Sequence, residues 1–254
     1  MTQRVLVTAG AGGIGKEVAR AFAAQGAKVC VCDIDAPALE AAAKEIPGLV
    51  PLVCDVSKRP DIERMVAAAA EALGGLDVLV NNAGIAGPTA SVEEVDPEQW
   101  EAVMTIDVIG TFHVTRLAIP HLKQSAAGSI VIMSSVGGRF GYPNRSAYCV
   151  AKMGLIGFAK TLSRELGRYG IRCNAIAPGA VGGERIERVL QGRADAEHKT
   201  LEEERTAAMS IQSVKRFVDP KDIASLIVFL TSDAGKSISG QILPIDNDAQ
   251  TSAY

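Results

Sequence analysis

Short apolar runs alternate with longer stretches of helical character along this chain. Arg4-Val5-Leu6-Val7-Thr8 opens it, and Lys28 to Cys32, Leu49 to Cys54, Leu76 to Val80, Ser129 to Met133 and Gly240 to Ile245 repeat the pattern. Runs of this length, rich in Val, Ile and Leu and bounded by polar or glycine positions, read as strands. Between them, the stretch ending near Gln25, Ala38 to Ile46, Asp61 to Leu73 and Pro220 to Leu230 read as helices. Asp96-Pro97 supplies an N-cap and a first-turn proline for a long helix through Trp100 and Asp107 to about Lys123. Strand and helix in alternation predict an α/β fold, a parallel sheet doubly wound by helices on both faces, with ligands at the carboxyl ends of the strands.

Composition narrows this picture. A chain of 254 residues, 48% apolar and only 4% aromatic, suits helices packed closely on a sheet. A net charge of −3 without a Lys/Arg run gives no attraction to nucleic acid or to an anionic membrane. No stretch reaches the roughly 18 consecutive apolar residues of a membrane span, and glycines interrupt the first apolar run at once, so a soluble chain without a signal peptide is expected. Cys30, Cys32, Cys54, Cys149 and Cys173 are odd in number and lack C-x-x-C spacing, which favours buried thiols and a cytoplasmic location. His113, His121 and His198 have no partner pattern and no G-x-S-x-G is present, so a metal centre or a serine hydrolase is poorly supported.

Candidate chemistry begins at Ala9-Gly10-Ala11-Gly12-Gly13-Ile14-Gly15, a glycine loop between a strand and a helix. Glycines let backbone approach a phosphate, and free N–H groups with the helix dipole receive it; an ordinary tight turn is the alternative. Asp33 follows Gly15 by eighteen residues at the end of the next strand, where a carboxylate would bind the adenosine ribose of NAD and repel the 2′-phosphate of NADP, unless it is a solvated strand end. Farther on, Tyr148 and Lys152 stand four apart on one helical face, with Ser135 thirteen residues before the tyrosine. A cation fixed beside a phenol favours acid/base work by the phenol at neutral pH.

Thr8 with this loop, Asp33, Asp55-Val56, Asn81-Asn82-Ala83-Gly84, Ser135, Tyr148-x-x-x-Lys152 and Pro178-Gly179 stand in the order and spacing of the short-chain dehydrogenase/reductase family, which the chain resembles over essentially its whole length. The resemblance implies one Rossmann-type catalytic domain over residues 1–254 with seven parallel strands, acting as a homotetramer on a small-molecule alcohol or ketone. It implies Tyr148 as general acid/base, Lys152 as its partner and holder of the nicotinamide ribose, and Ser135 as hydrogen-bond donor to the substrate oxygen. Cofactor contacts would come from Gly10, Gly12, Gly13, Ile14, Gly15, Asp33, Ile34, Asp55, Val56, Asn82, Ala83, Gly84, Tyr148, Lys152, Pro178, Gly179 and Val181. Residues 184–217 would be a helical substrate lid.

Four departures stand beside these matches. Ala9 replaces a glycine at the start of the loop. Asp107 takes the place of an asparagine that holds a water on the proton path to the lysine, and so joins the catalytic candidates. Gly182-Gly183 replaces a threonine at the carboxamide contact, and Asp246-Asn247-Asp248 replaces Asp-Gly-Gly. The reading is NAD-dependent hydride transfer on a small polar secondary alcohol such as a polyol, sugar or hydroxy acid, with Ser135, Arg139, Tyr142, Asn144 and Arg185 as substrate candidates. Arg188 and Arg193 could also meet an anionic substrate or serve as ordinary salt-bridged surface. Steroid, acyl and aromatic-diol substrates, or a catalytically weak nucleotide sensor, are the alternatives.

Overall fold

A computed structural model describes residues 2–250 of the chain. Seven strands form one parallel sheet: β1 (Arg4–Thr8), β2 (Lys28–Asp33), β3 (Val50–Val53), β4 (Val78–Asn81), β5 (Ser129–Met133), β6 (Arg172–Pro178) and β7 (Ile242–Ile245), in the order β3-β2-β1-β4-β5-β6-β7. The order reverses between β1 and β4, and the crevice outside the strand ends at that point is where a doubly wound sheet binds ligands.

Alternation along β1 shows why both faces are covered. Leu6 points into a core shared with α3 (Arg59–Leu73), α5 (Thr111–Leu122) and α6 (Ser146–Leu166), whereas Val5 and Val7 point into one shared with α1 (Gly13–Ala24), α2 (Ala36–Glu45) and α9 (Pro220–Thr231). Strands apolar on both sides require helices on both sides. Within the first core Cys30 is fully buried, and burial pushes its thiol up to about 12, so it packs as a small apolar group. The pattern reading did not delimit β6, because Asn174 interrupts its apolar run. In the structure that amide is satisfied by backbone, donating to Ile238 O at 2.9 Å and accepting from Gln241 N at 3.0 Å.

The long helix expected from Pro97 to Lys123 is helical throughout but not uniform. α4 (Pro97–Val103) passes into a π-helical segment, Met104–Gly110, and then into α5. A π bulge inserts one residue per turn and re-aims side chains, a feature common at functional sites. Here Asp107 lies on it, fully buried. Within Pro97–Leu122 an 18-residue stretch has a mean hydropathy of 1.4, enough by length and composition alone to cross a membrane, although polar residues interrupt it. Its Val103, Val114, Ala118 and Leu122 are instead buried against the protein's own core.

Two of the departures carry a backbone cost. Ala9 sits at φ 51°, in the left-handed region where a side chain costs about 1 kcal/mol or more. Ala9→Gly is therefore expected to raise stability by about 1 kcal/mol, read as a higher urea midpoint at unchanged slope. Asn247 and Asp248 occupy the same region at φ 55° and 56°. Their side chains offset the strain: Asn247 Nδ2 donates to Arg216 O at 2.6 Å, and Asp248 accepts from Ser213 Oγ at 2.6 Å. This turn ties the chain end to the segment that follows α8 (Leu201–Ser210).

Candidate active site

A cavity of about 780 Å³ opens at the carboxyl ends of the strands, between the glycine loop on one side and α7 (Glu184–Glu197) with α8 on the other. Its floor is wired through Thr8. The Thr8 hydroxyl accepts from Asn82 N and Ala83 N, both at 2.9 Å, while Asn82 Nδ2 donates to Thr8 O and Ala9 O at 3.1 and 3.0 Å. These bonds lock the end of β4 to the end of β1. Gly10 and Gly15 stand behind the wall as packing positions: a Cβ on Gly15 would lie 2.1 Å from Ala9 O, and one on Gly10 would lie 2.5 Å from Val31.

A dinucleotide fits the residues present. Gly12 caps α1 without a side-chain hydrogen bond, so the first N–H groups of that helix are left for an anion. Gly12, Gly13 and Ile14 line the cavity there, and added Cβ atoms on the two glycines would meet nothing within 4 Å. Asp33 lines the neighbouring wall, its carboxylate accepting from Ala11 N at 3.2 Å. Pro178, Gly179 and Val181 line the opposite side.

Ser135, Tyr148 and Lys152 come together on one wall, from the end of β5 and from α6. Ser135 Oγ accepts from Gly137 N at 3.0 Å, which leaves its proton free for another acceptor. The Lys152 ammonium is 5.6 Å from the Tyr148 ring centroid; it donates to Met133 O at 3.3 Å and pairs with Asp107 Oδ2 at 3.0 Å. Asp107 Oδ1 accepts from Ile85 N at 2.7 Å. Gly84 is required beside this pair, since a Cβ there would lie 2.9 Å from Asp107 Oδ2 and 3.0 Å from Lys152 Nζ.

Several sequence candidates lie elsewhere. Arg139 turns away to Asp246, its Nη1 2.9 Å from Oδ2, which also gives the aspartate of the departing C-terminal motif its partner. Asn144 is a left-handed turn residue at φ 61° whose carbonyl accepts from Ala90 N, and it does not line the cavity. Ile34 is 66% exposed and off the wall, as is Ala83. Asp55 and Val56 are off it too. The Asp55 carboxylate binds the Ser57 hydroxyl and N–H and sits below the usual carboxylate range for that reason, while Val56 O packs at Gly110. Tyr142 and Arg185 do line the cavity, and burial pushes the Tyr142 phenol up to about 12, so it serves there as a neutral hydrogen-bonding group.

Sequence reasoning missed Arg145. It caps α6 three residues before Tyr148, is 5% exposed, and its guanidinium carbon is 5.0 Å from the Tyr148 ring centroid. Its place one turn before the tyrosine was the available signal. Among the described residues no cluster of three His, Cys, Asp or Glu side chains could hold a metal.

Comparison with known proteins adds the chain's family and the relatives of its fold. The family model described as enoyl-(acyl carrier protein) reductase matches residues 9–247. The chain is 37% identical over 246 residues to a D-beta-hydroxybutyrate dehydrogenase of Cupriavidus necator, covering 95% of each chain. Among solved structures it is similar to actinorhodin polyketide ketoreductase with NADPH (TM-score 0.92, 31% identity, 97% and 96% covered). It is likewise similar to NAD+-bound xylitol dehydrogenase (TM-score 0.93, 29% identity, 96% and 97% covered).

Proposed function

The chain belongs to the short-chain dehydrogenase/reductase family and is an oxidoreductase of CH–OH groups, and from that premise we propose that it uses NAD on a small polar secondary alcohol or the matching ketone, with Tyr148 as general acid/base. The observation that carries the reading is the convergence of Ser135, Tyr148 and Lys152 on one wall of the cavity, beside a glycine loop whose helix N-terminus is free for phosphate.

A bound nicotinamide dinucleotide would supply hydride acceptance or donation, with Gly12, Gly13 and Ile14 holding its phosphates, Asp33 its adenosine ribose, and Asn82, Pro178, Gly179 and Val181 lining the rest of its path. The chain's own residues manage the proton. Ser135, its oxygen already accepting from Gly137 N, donates to the substrate oxygen. Tyr148 exchanges a proton with the same oxygen, and the fixed Lys152 charge stabilises negative charge on the phenol oxygen as the proton leaves. Of the three ammonium donors, one goes to Met133 O and one towards Asp107, so the third is available to a ribose hydroxyl. Residues 184–217, holding α7 and α8, act as the lid over this wall.

NAD rather than NADP rests on Asp33. A carboxylate at the ribose repels a 2′-phosphate, so NADH is expected to bind at least ~10-fold tighter than NADPH, and Asp33→Ser to narrow the gap. Fluorescence titration of both nucleotides reads this, and tighter NADPH would overturn the assignment. The reaction itself is tested by screening polyols, sugars and hydroxy acids for NADH production; NADH binding without turnover of any alcohol or ketone would make the chain a nucleotide sensor. Five free thiols fit a reducing, cytoplasmic setting, and exposed Ile109, Phe112, Val150 and Met153 on neighbouring helices supply an apolar surface for assembly into a homotetramer.

A further inference from the structure

The cavity wall beside Tyr148 carries positive charge that proton and hydride transfer do not use. Arg145 is 5% exposed, yet among the described residues only one of its side-chain N–H groups is engaged, Nη2 donating to Ala86 O at 2.7 Å. Its Nε is buried without a partner, and among the described residues no carboxylate lies within ion-pair distance of it. A buried guanidinium in this state is a charge awaiting a counter-ion.

Two more guanidiniums face the same space. On α7, Arg193 stacks its guanidinium carbon 5.2 Å from the centroid of Tyr142, and Arg185 lies eight residues earlier, so both reach the cavity from one helical face. Neither has an acidic partner among the described residues. Burial first, and then the fields of Arg193 and Arg185 against that of Tyr148, pull the Arg145 guanidinium below its usual range, as like charges around one void must. Among the described residues the only acid on this part of the wall is Glu184, whose side chain is 95% exposed and reaches Arg188 at 4.0 Å. Glu17, Asp33 and Asp35 line the far, nucleotide end. The pyrophosphate of a dinucleotide belongs at the α1 N-terminus, away from Arg145, so the cofactor does not neutralise this cluster.

We propose that Arg145, with Arg193 and Arg185 closing over it from α7, binds a carboxylate of the substrate, which makes the substrate a short hydroxy acid or the matching oxo acid rather than a neutral polyol or sugar. This rests on the hydride-transfer reading and narrows it. A guanidinium fork matches a carboxylate in a bidentate manner. The 5.0 Å between the Arg145 guanidinium carbon and the Tyr148 ring puts the anion a few bonds from the carbinol carbon. Arg145 is thus a substrate-binding residue and Arg193 a specificity residue carried by the lid.

The test compares acids with their neutral amides: 3-hydroxybutyrate with 3-hydroxybutyramide, and lactate with lactamide, by kcat/KM at saturating NAD. The acid is expected to exceed its amide by about 100-fold or more, because a charge-assisted bidentate pair is lost with the amide and the buried cation is left unpaired. Arg145→Met should bring the ratio close to one, and Arg193→Met should lower it about 10-fold, with NADH affinity unchanged in both. Arg193 is half-buried on a surface helix, so its variant tests the site even if Arg145→Met fails to fold. Equal use of acid and amide, or an acid preference that survives both substitutions, overturns the proposal. If no alcohol is oxidised, the hydride-transfer reading fails separately. Calorimetry of acetoacetate against acetoacetamide on the NADH-loaded protein then decides the anion site: a preference of about 10-fold for the carboxylate supports it, and none removes it.

Discussion

Tyr148→Phe is expected to lower turnover by about 10³-fold or more while leaving the NADH dissociation constant within about threefold of the parent, since acid/base groups contribute on the order of 10²–10⁴ in rate. The substitution is narrow. The ring stays in contact with Gly137, whose hydrogen would be replaced by a Cβ only 3.1 Å from Tyr148 Cε1, and Arg145 keeps an aromatic face beneath it. Lys152 retains Asp107 and Met133 O, so its hold on a ribose hydroxyl is not disturbed. Only the phenol hydroxyl, with its exchangeable proton, goes. Single-turnover kinetics and NADH fluorescence titration measure the two quantities independently. Loss of both together would mean that the phenol holds the cofactor rather than the proton, and full retention of turnover would move the acid/base role elsewhere on the wall.

What could be read from the chain follows from how local each signal is. Strand alternation such as Leu6 against Val5 and Val7 is written in neighbouring residues, so the double winding of the sheet was legible. The glycine loop was legible for the same reason, since strand, turn and helix start are contiguous. Arg139 and Asn144 were misplaced because proximity in sequence to Tyr148 does not set side-chain direction: one reaches 107 residues ahead to Asp246, and the other is consumed by a left-handed turn. The cation wall was legible only in part: Arg185 and Arg193 stood among the residues that could meet an anion, whereas Arg145 belongs to a loop end, and only the fold brings it to the same void. Likewise the Asp246-Asn247-Asp248 turn makes sense only against its contacts with Arg139, Ser213 and Arg216, all distant in sequence.

Replacing Asp107 by alanine should be strongly destabilising. Removing one partner of a buried ion pair leaves an uncompensated charge and typically costs about 3–5 kcal/mol. Asp107→Ala does this to Lys152, whose side chain is 5% exposed, and it also orphans the Ile85 N–H that donates to Oδ1 at 2.7 Å. Asp107→Asn behaves differently. Its single acceptor oxygen can serve Ile85 N–H or Lys152 but not both, so about 2–3 kcal/mol is expected, closer to the loss of a charge-assisted hydrogen bond than to an empty site. Urea denaturation of the two variants beside the parent gives the ordering, and an alanine variant as stable as the parent would show that Met133 O alone sustains the buried ammonium. The kinetic ordering should follow the structural one, because Asp107 acts through the position of Lys152. The alanine variant is expected to bind NADH more weakly and turn over more slowly, whereas the asparagine variant should retain most of both. The π-helical segment Met104–Gly110 is what aims this side chain inward, and Gly84 is what leaves room for it. A chain that keeps a bulge, a glycine and a fully buried carboxylate around one lysine has tied that lysine's position to its fold, and the difference between the two variants measures how tightly.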